Sequence, residues 1–169
     1  MKSDWWVRAE KFMEQFVKEE SLSNDNMTME KRVRDFNQNH HRAVKYAYGQ
    51  TRHCLMTSDY VIKWDRTNRK GSIESWGGCV KEYNFYYTIA EPEGYEYLFA
   101  RPVRFKIGRR WFYAMPRVDC LAADRDAYIE DYLSDGENEW IYNHCWDLHD
   151  ENWGFLHGEV QIIDYATGH

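Results

Sequence analysis

The run Asp147-Leu148-His149-Asp150-Glu151-Asn152, closed further on by Ile162-Ile163-Asp164, constrains this chain more than any other stretch. Between the two lie short apolar runs, Trp153 to Leu156 and Val160 to Ile163, separated by a segment that contains His157-Gly158. Two such runs about a Gly-containing turn predict a tight β-hairpin. A hairpin brings its outer ends together, so Asn152 and Asp164 become neighbours. Both carry oxygen donors suited to a hard cation such as Mg2+. Asp147 then falls just ahead of the first strand, where a carboxylate is placed to act as a base or to orient a hydroxyl.

Two charged residues upstream complete an ordered set. Asp59-Tyr-Val-Ile-Lys63-Trp64 puts a lysine at the end of a β-branched and aromatic run, and Glu82 follows nineteen residues later in a helix-like stretch. In this order and spacing, Lys63, Glu82, Asp147, Asn152 and Asp164 resemble the functional positions of the protein-kinase-like family. The form Asp-Leu-His-Asp-Glu-Asn is more similar to the small-molecule (aminoglycoside-phosphotransferase) and phage-type branches than to eukaryotic protein kinases. The resemblance covers roughly residues 45–166.

The resemblance implies a site for ATP and Mg2+. Lys63, held by Glu82, contacts the α- and β-phosphates. Asn152 and Asp164 hold Mg2+, and Asp147 orients and deprotonates a substrate hydroxyl. A Gly-rich loop precedes the lysine in this family; here Gly49 alone stands in that position, with Arg52 as a source of positive charge. Two positions depart from the pattern. Ala166 stands where the family has a glycine two residues after the metal-binding Asp, and Cys145 stands two residues before Asp147 in place of a histidine. Met115-Pro-Arg-Val118 falls at the family's adenine-binding hinge.

The fold class expected is α+β, a compact kinase-like fold. It comprises two extra N-terminal helices (1–48), an antiparallel-sheet N-lobe (49–118) and a truncated helical C-lobe with the catalytic and metal loops (119–169). Trp5, Ala9, Phe12 and Phe16 recur at helical spacing, with Trp6, Met13 and Val17 beside them, and predict a helix over 4–19 with Ser3 as N-cap. Thr28 caps a second helix running to about Ala47, with Val33, Phe36, His40, Val44 and Ala47 on one face. His40 and His41 read as surface or interfacial residues.

Gly49 ends that helix. A hairpin of 52–56 and 60–64 carries Lys63, and a helix runs through Glu82 to about Ala90, stopped by Glu91-Pro-Glu-Gly. Strands over 97–105 and 111–118 follow. Further helices are expected over 124–133 and 137–145, with Asp135-Gly136 as a turn.

Bulky rings must dominate the packing, with eight Trp and thirteen Tyr in 169 residues. No apolar run reaches the length of a membrane span, and the N-terminus lacks a signal-peptide apolar core. Four widely spaced cysteines without a Cys-x-x-Cys read as reduced thiols of a cytoplasmic protein (host cytoplasm, if the protein is viral). The net charge of −6 hides an asymmetry: six bases and no acid from Arg101 to Arg117, then eleven acids and one arginine from Asp119 to Glu151. Both stretches read first as solvated surface, and otherwise as a partner-binding face.

Zinc binding by His144, Asp147, His149 and Asp150, and a thiol nucleophile at Cys145, fit the residue spacings less well. The leading reading is a phosphotransferase with a nucleotide ligand and no membrane or nucleic-acid partner expected; its oligomeric state stays open. The alternative is a kinase-fold binding protein of phage type, a pseudokinase that acts on a host macromolecule through its acidic face.

Overall fold

The computed structural model describes residues 4–22, 27–48, 52–65, 77–120, 132–145 and 148–165. The architecture is mixed α and β, and the chain divides into two compact units. The first comprises Met1–Cys79 and Val103–Arg117, the second Val80–Pro102 and Val118–His169.

In the first unit, α1 (Trp5–Leu22) and α2 (Met29–His40) pack on a sheet. Its strands are β1 (Lys45–Tyr48), β2 (Arg52–Met56), β3 (Tyr60–Asp65), β4 (Val103–Ile107) and β5 (Arg110–Pro116), wholly antiparallel in the order β1-β2-β3-β5-β4. The apolar stripe of α1 lies inward as its period requires: Ala9, Phe12, Met13 and Phe16 are buried, while Trp6 stays half exposed. Burying Phe12, Met13 and Phe16 contributes about 1.5–3 kcal/mol each. Their partners alternate along the strands. Leu55, Ile62 and Ala114, matched across β2, β3 and β5, share the face that meets the helices, with Tyr60, Trp64 and Phe112 on either side.

The second helix is shorter than its pattern predicts. Thr28 caps it, Oγ1 accepting the Lys31 N–H at 3.3 Å. It stops at His40, however, and residues 45–48 form β1 rather than the last helical turn. His41 takes the left-handed conformation, φ 50°. The Asn37 amide then brackets Val44, accepting its N–H at 3.1 Å and donating to its carbonyl at 2.8 Å. A side chain thus offers Val44 the pairing that a helix would otherwise supply. Val44 is buried as expected, but on the approach to a strand.

The chain passes into the second unit along α3 (Gly78–Phe85), a π turn (Tyr86–Ala90) and α4 (Glu91–Glu93). The helix ends within the expected Glu91-Pro-Glu-Gly stop, at Gly94, φ 81°. The π turn shifts the bonding register, with the Glu91 N–H reaching back to the Tyr86 carbonyl. Pro92 then sits at the start of α4, where a missing N–H costs little.

The strand predicted over 97–105 is divided. Glu96–Leu98 is a 3-10 turn of the second unit, and the strand begins only at Val103. Phe99 bridges Ile162, and the Ala100 N–H donates to the Ile162 carbonyl at 3.0 Å. Pro102, which has no N–H to give a ladder, separates the two parts.

Also in the second unit are β6 (Asp119–Cys120), α5 (Asp135–His144), β7 (Trp153–Leu156) and β8 (Glu159–Ile162). The predicted hairpin is present. Trp153 pairs with Ile162 and Leu156 with Glu159, and both turn residues have positive φ, His157 56° and Gly158 89°. That is the backbone a two-residue primed turn demands. Gly154 lies against β6 so closely that a Cβ there would stand 2.4 Å from the Asp119 carbonyl oxygen.

Asp135-Gly136, expected as a turn, opens α5. Ser134 caps that helix, and Glu137 returns to the Ser134 N–H in a capping box. A second core joins Phe85, Phe99, Trp140, Trp153, Ile162 and Tyr165. The helix predicted over 124–133 lies mostly outside the described residues.

Candidate functional site

The hairpin does what its sequence implies for its two ends. The Asn152 carbonyl accepts the Ile163 N–H at 2.8 Å, which sets Asn152 beside the residue preceding Asp164. A 3-10 turn, Asp150–Asn152, leads into β7. It is closed by the Asn152 N–H donating to the His149 carbonyl at 2.9 Å and the His149 N–H donating to Asn152 Oδ1 at 2.7 Å. The Asn152 side chain is therefore held in one orientation, with one lone pair of its amide oxygen engaged.

Asp164 follows the last residue pair of the hairpin in the left-handed conformation, φ 59°. Asp tolerates that conformation better than most residues, yet it is strained unless its surroundings hold it. The holding group is Glu82. Its Oε1 accepts the Asp164 N–H at 2.9 Å, and Glu82 itself is only 2% exposed. A buried carboxylate on α3 is thus fixed to the backbone of the residue expected to bind metal, across 82 positions of sequence. Asp164 Oδ1 is buried as well.

Tyr165 lies next in the chain, packed against Phe85 and Phe99. Burial, and then the nearby Glu82 charge, push its hydroxyl well above its ordinary value. It remains a neutral donor, 3.3 Å from the Ala100 carbonyl.

The other expected group is on the sheet of the first unit. Lys63 is in β3, flanked by β2 and β5, opposite Cys54 on one side and Tyr113 on the other. Alternation places it on the face away from α1 and α2, and it is only 8% exposed. An ordinary strand lysine reaches solvent; a buried ammonium costs several kcal/mol unless something compensates it. Arg52 pairs with Asp65 in register, so Arg52, Cys54, Lys63 and Asp65 share that face.

The same end of the sheet receives the start of α3. Asp65 Oδ1 accepts the Cys79 N–H at 3.0 Å, and the Arg52 guanidinium runs along Gly78, its Nε 3.3 Å from where a Cβ would be. Asp65 is a positioning residue that the sequence did not reveal, because its helix begins beyond a long intervening segment. Asp147 and Gly49 lie outside the described residues.

The charged stretches divide differently than their composition suggests. Arg110 donates to Glu20 at 2.8 Å, and the same carboxylate accepts from Arg32, tying β5, α1 and α2 together. Arg117 donates to the Thr57 carbonyl and Arg101 to the Tyr87 hydroxyl. Of the acids, Glu137 belongs to the capping box and accepts from the Tyr97 hydroxyl. Asp135, Glu139 and Glu151 are exposed. His40, expected at a surface or an interface, bridges the two N-terminal helices by bonding Glu19 and packing on Phe36.

Burial pushes the Cys145 thiol up to about 12, far from the thiolate that a nucleophile needs. Cys54, Cys79 and Cys145 are thiols outside any disulfide. Among the described residues no helix is long and apolar enough to cross a membrane.

Asn152 and Asp164 are the two candidate oxygen donors at this hairpin end, and among the described residues no group of three or more His, Cys, Asp or Glu converges. The chain matches no protein-family model and no curated protein, so its reading rests on this geometry.

Proposed function

We propose that the chain is a kinase-like phosphotransferase that binds Mg-ATP and passes the γ-phosphate to a hydroxyl acceptor. The observation that carries the proposal is the buried Glu82 holding the left-handed Asp164 at the end of the β7–β8 hairpin. A strained acidic residue fixed by a second buried acid has a cost in stability that packing alone does not require.

The order of hairpin, helix and hairpin around Lys63, the wholly antiparallel five-stranded sheet and the burial of Lys63 support the same reading. So does the early end of α2. Residues 45–48 form a strand that pairs with β2, ahead of the lysine.

In this reading Asn152 and Asp164 hold Mg2+, which neutralises charge on the β- and γ-phosphates when bound. Lys63 binds the α- and β-phosphates, with Arg52 beside it on the same sheet face. Asp147 accepts the acceptor's hydroxyl proton as its oxygen bonds to phosphorus and the bond to the ADP oxygen breaks. The protein's part is position and charge, which is most of what phosphoryl transfer asks.

Isothermal titration with ATP, with and without Mg2+, tests this beside Asp164→Ala. Saturable, Mg-dependent heat that disappears in the variant is the expected result. No heat at millimolar ATP from folded protein removes the enzyme reading.

One observation favours the second reading, a kinase-fold binding protein acting through its acidic face: Asn152 Oδ1 already accepts the His149 N–H, which weakens it as a metal ligand. That reading expects partner capture to depend on Asp135, Glu139 and Glu151 and to be indifferent to Lys63→Ala.

A further inference from the structure

The β4–β5 hairpin carries a basic surface that the proposed nucleotide site does not use. Arg104 is opposite Tyr113 and Lys106 opposite Trp111, so all four share one face. The Arg104 guanidinium lies 5.1 Å from the centre of the Trp111 ring and the Lys106 ammonium 5.5 Å. Trp111 is still 46% exposed, and Arg104, Lys106 and Arg109 are all exposed. Arg109 sits in the turn beside Gly108, φ 61°. Arg110 donates to Glu20. The stretch from Arg101 to Arg117 contains no acid of its own.

An exposed indole held among cations has two affinities: its face stacks on flat rings, and its neighbours attract phosphate. Arg104 and Lys106, alternate residues of one strand, project about 6.8 Å apart, a spacing commensurate with successive phosphates of an extended single strand. An acidic peptide would satisfy the cations but gives no role to the ring. We infer that this hairpin face binds single-stranded nucleic acid, one base stacking on Trp111 while Arg104, Lys106 and Arg109 take the backbone. The net charge of −6 opposes binding by the chain as a whole, so the contact is local and weak.

Fluorescence anisotropy with a short labelled pyrimidine oligonucleotide, over a series of salt concentrations, tests the inference. Three phosphate contacts on a single strand give a slope of log K against log salt of about −2. Trp111→Ala lowers affinity by about 5- to 150-fold, as loss of one stacked base implies. Trp111→Phe, which keeps an aromatic face and guards against a folding artefact, retains most of it. Arg104→Ala with Lys106→Ala flattens the slope, and Lys11→Ala on α1 changes nothing.

Absence of binding at low salt would show that these cations only guard the β4 edge, and overturns the inference. So does displacement by polyglutamate of equal charge with no effect of Trp111→Ala, which marks an acidic protein as the partner. The row Lys63–Tyr113–Arg104 puts both proposals on one sheet face, so variants tell them apart: Trp111→Ala weakens the oligonucleotide alone, and Asp164→Ala weakens Mg-ATP alone.

Discussion

Replacing Gly154 by Ala sets a methyl carbon 2.4 Å from the Asp119 carbonyl oxygen, 2.5 Å from Val118 Cγ1 and 2.8 Å from the Asp119 carbonyl carbon. Even a close C–H···O contact needs about 3.3 Å, so the β6 backbone must withdraw by roughly 0.9 Å. Gly154 is not among the positive-φ glycines, so an alanine meets no backbone strain and the effect is steric. Overpacking of this kind costs about 1–3 kcal/mol. The upper part of that range applies, because the obstacle is main chain and cannot rotate away. A gain of about 0.4–1 kcal/mol from the stiffer unfolded chain offsets part of it.

The net expectation is about 2 kcal/mol of destabilisation, or roughly 4–8 °C in Tm at this chain length. Thermal unfolding followed by near-ultraviolet circular dichroism reports it. Because β6 pairs with β7 through Cys120↔Gly154 and Asp119↔Phe155, amide exchange in β7 should quicken too. A Tm equal to or above that of the parent chain would show that β6 does not constrain the hairpin, and the close approach would have no energetic meaning.

Other outcomes follow from the same structure. Glu82→Leu leaves the Asp164 N–H without its acceptor and costs about 1–3 kcal/mol in denaturant unfolding, and an unchanged midpoint contradicts the clasp. Ser134→Ala removes the α5 cap at a cost of about 1 kcal/mol, seen as faster exchange of the Glu137 amide.

The Glu137 carboxyl is raised by burial but lowered further by bonds from Ser134 and Tyr97, and lies below its ordinary 4.5. Its contribution to stability is therefore present above 4.5 and lost as pH falls through the lower folded value; acid titration of Tm in Glu137→Gln should lack that loss. Tyr97, raised to about 12 chiefly by its bond to Glu137, gives stability that is full below 10 and disappears as pH rises toward 12. Absorbance titration of Tyr97→Phe should show one late-ionising phenol fewer, with Tyr86 and Tyr165 still ionising late.

What was legible in the chain was what local chemistry decides. The β7–β8 hairpin follows from two apolar runs about His157-Gly158, and the buried stripe of α1 from its period. The Ser134-x-x-Glu137 box was equally present in the sequence and passed unrecognised behind Asp135-Gly136, whose turn chemistry suits a helix start as well. The end of α2 was hidden because His41 and Asn37 stop it, and neither is a glycine or proline.

The strand expected over 97–105 read as continuous because both of its parts are apolar, although they enter different cores. Of the site, residue types and order were legible. The clasp of Glu82 on the Asp164 N–H was not, since a bond to backbone leaves no trace in the residue it holds. Nor was the proximity of Gly154 to Asp119, which only the fold creates.

The most direct test of the account follows the Asp164 amide by nitrogen-15 correlation spectroscopy while Mg-ATP is added to the parent chain and to Glu82→Gln. A saturable shift of Asp164 and Ile163 that requires Mg2+ and is weakened in the variant is the predicted result. Unmoved amides at millimolar Mg-ATP, in a chain that remains folded, would contradict a nucleotide site built on the Glu82 clasp.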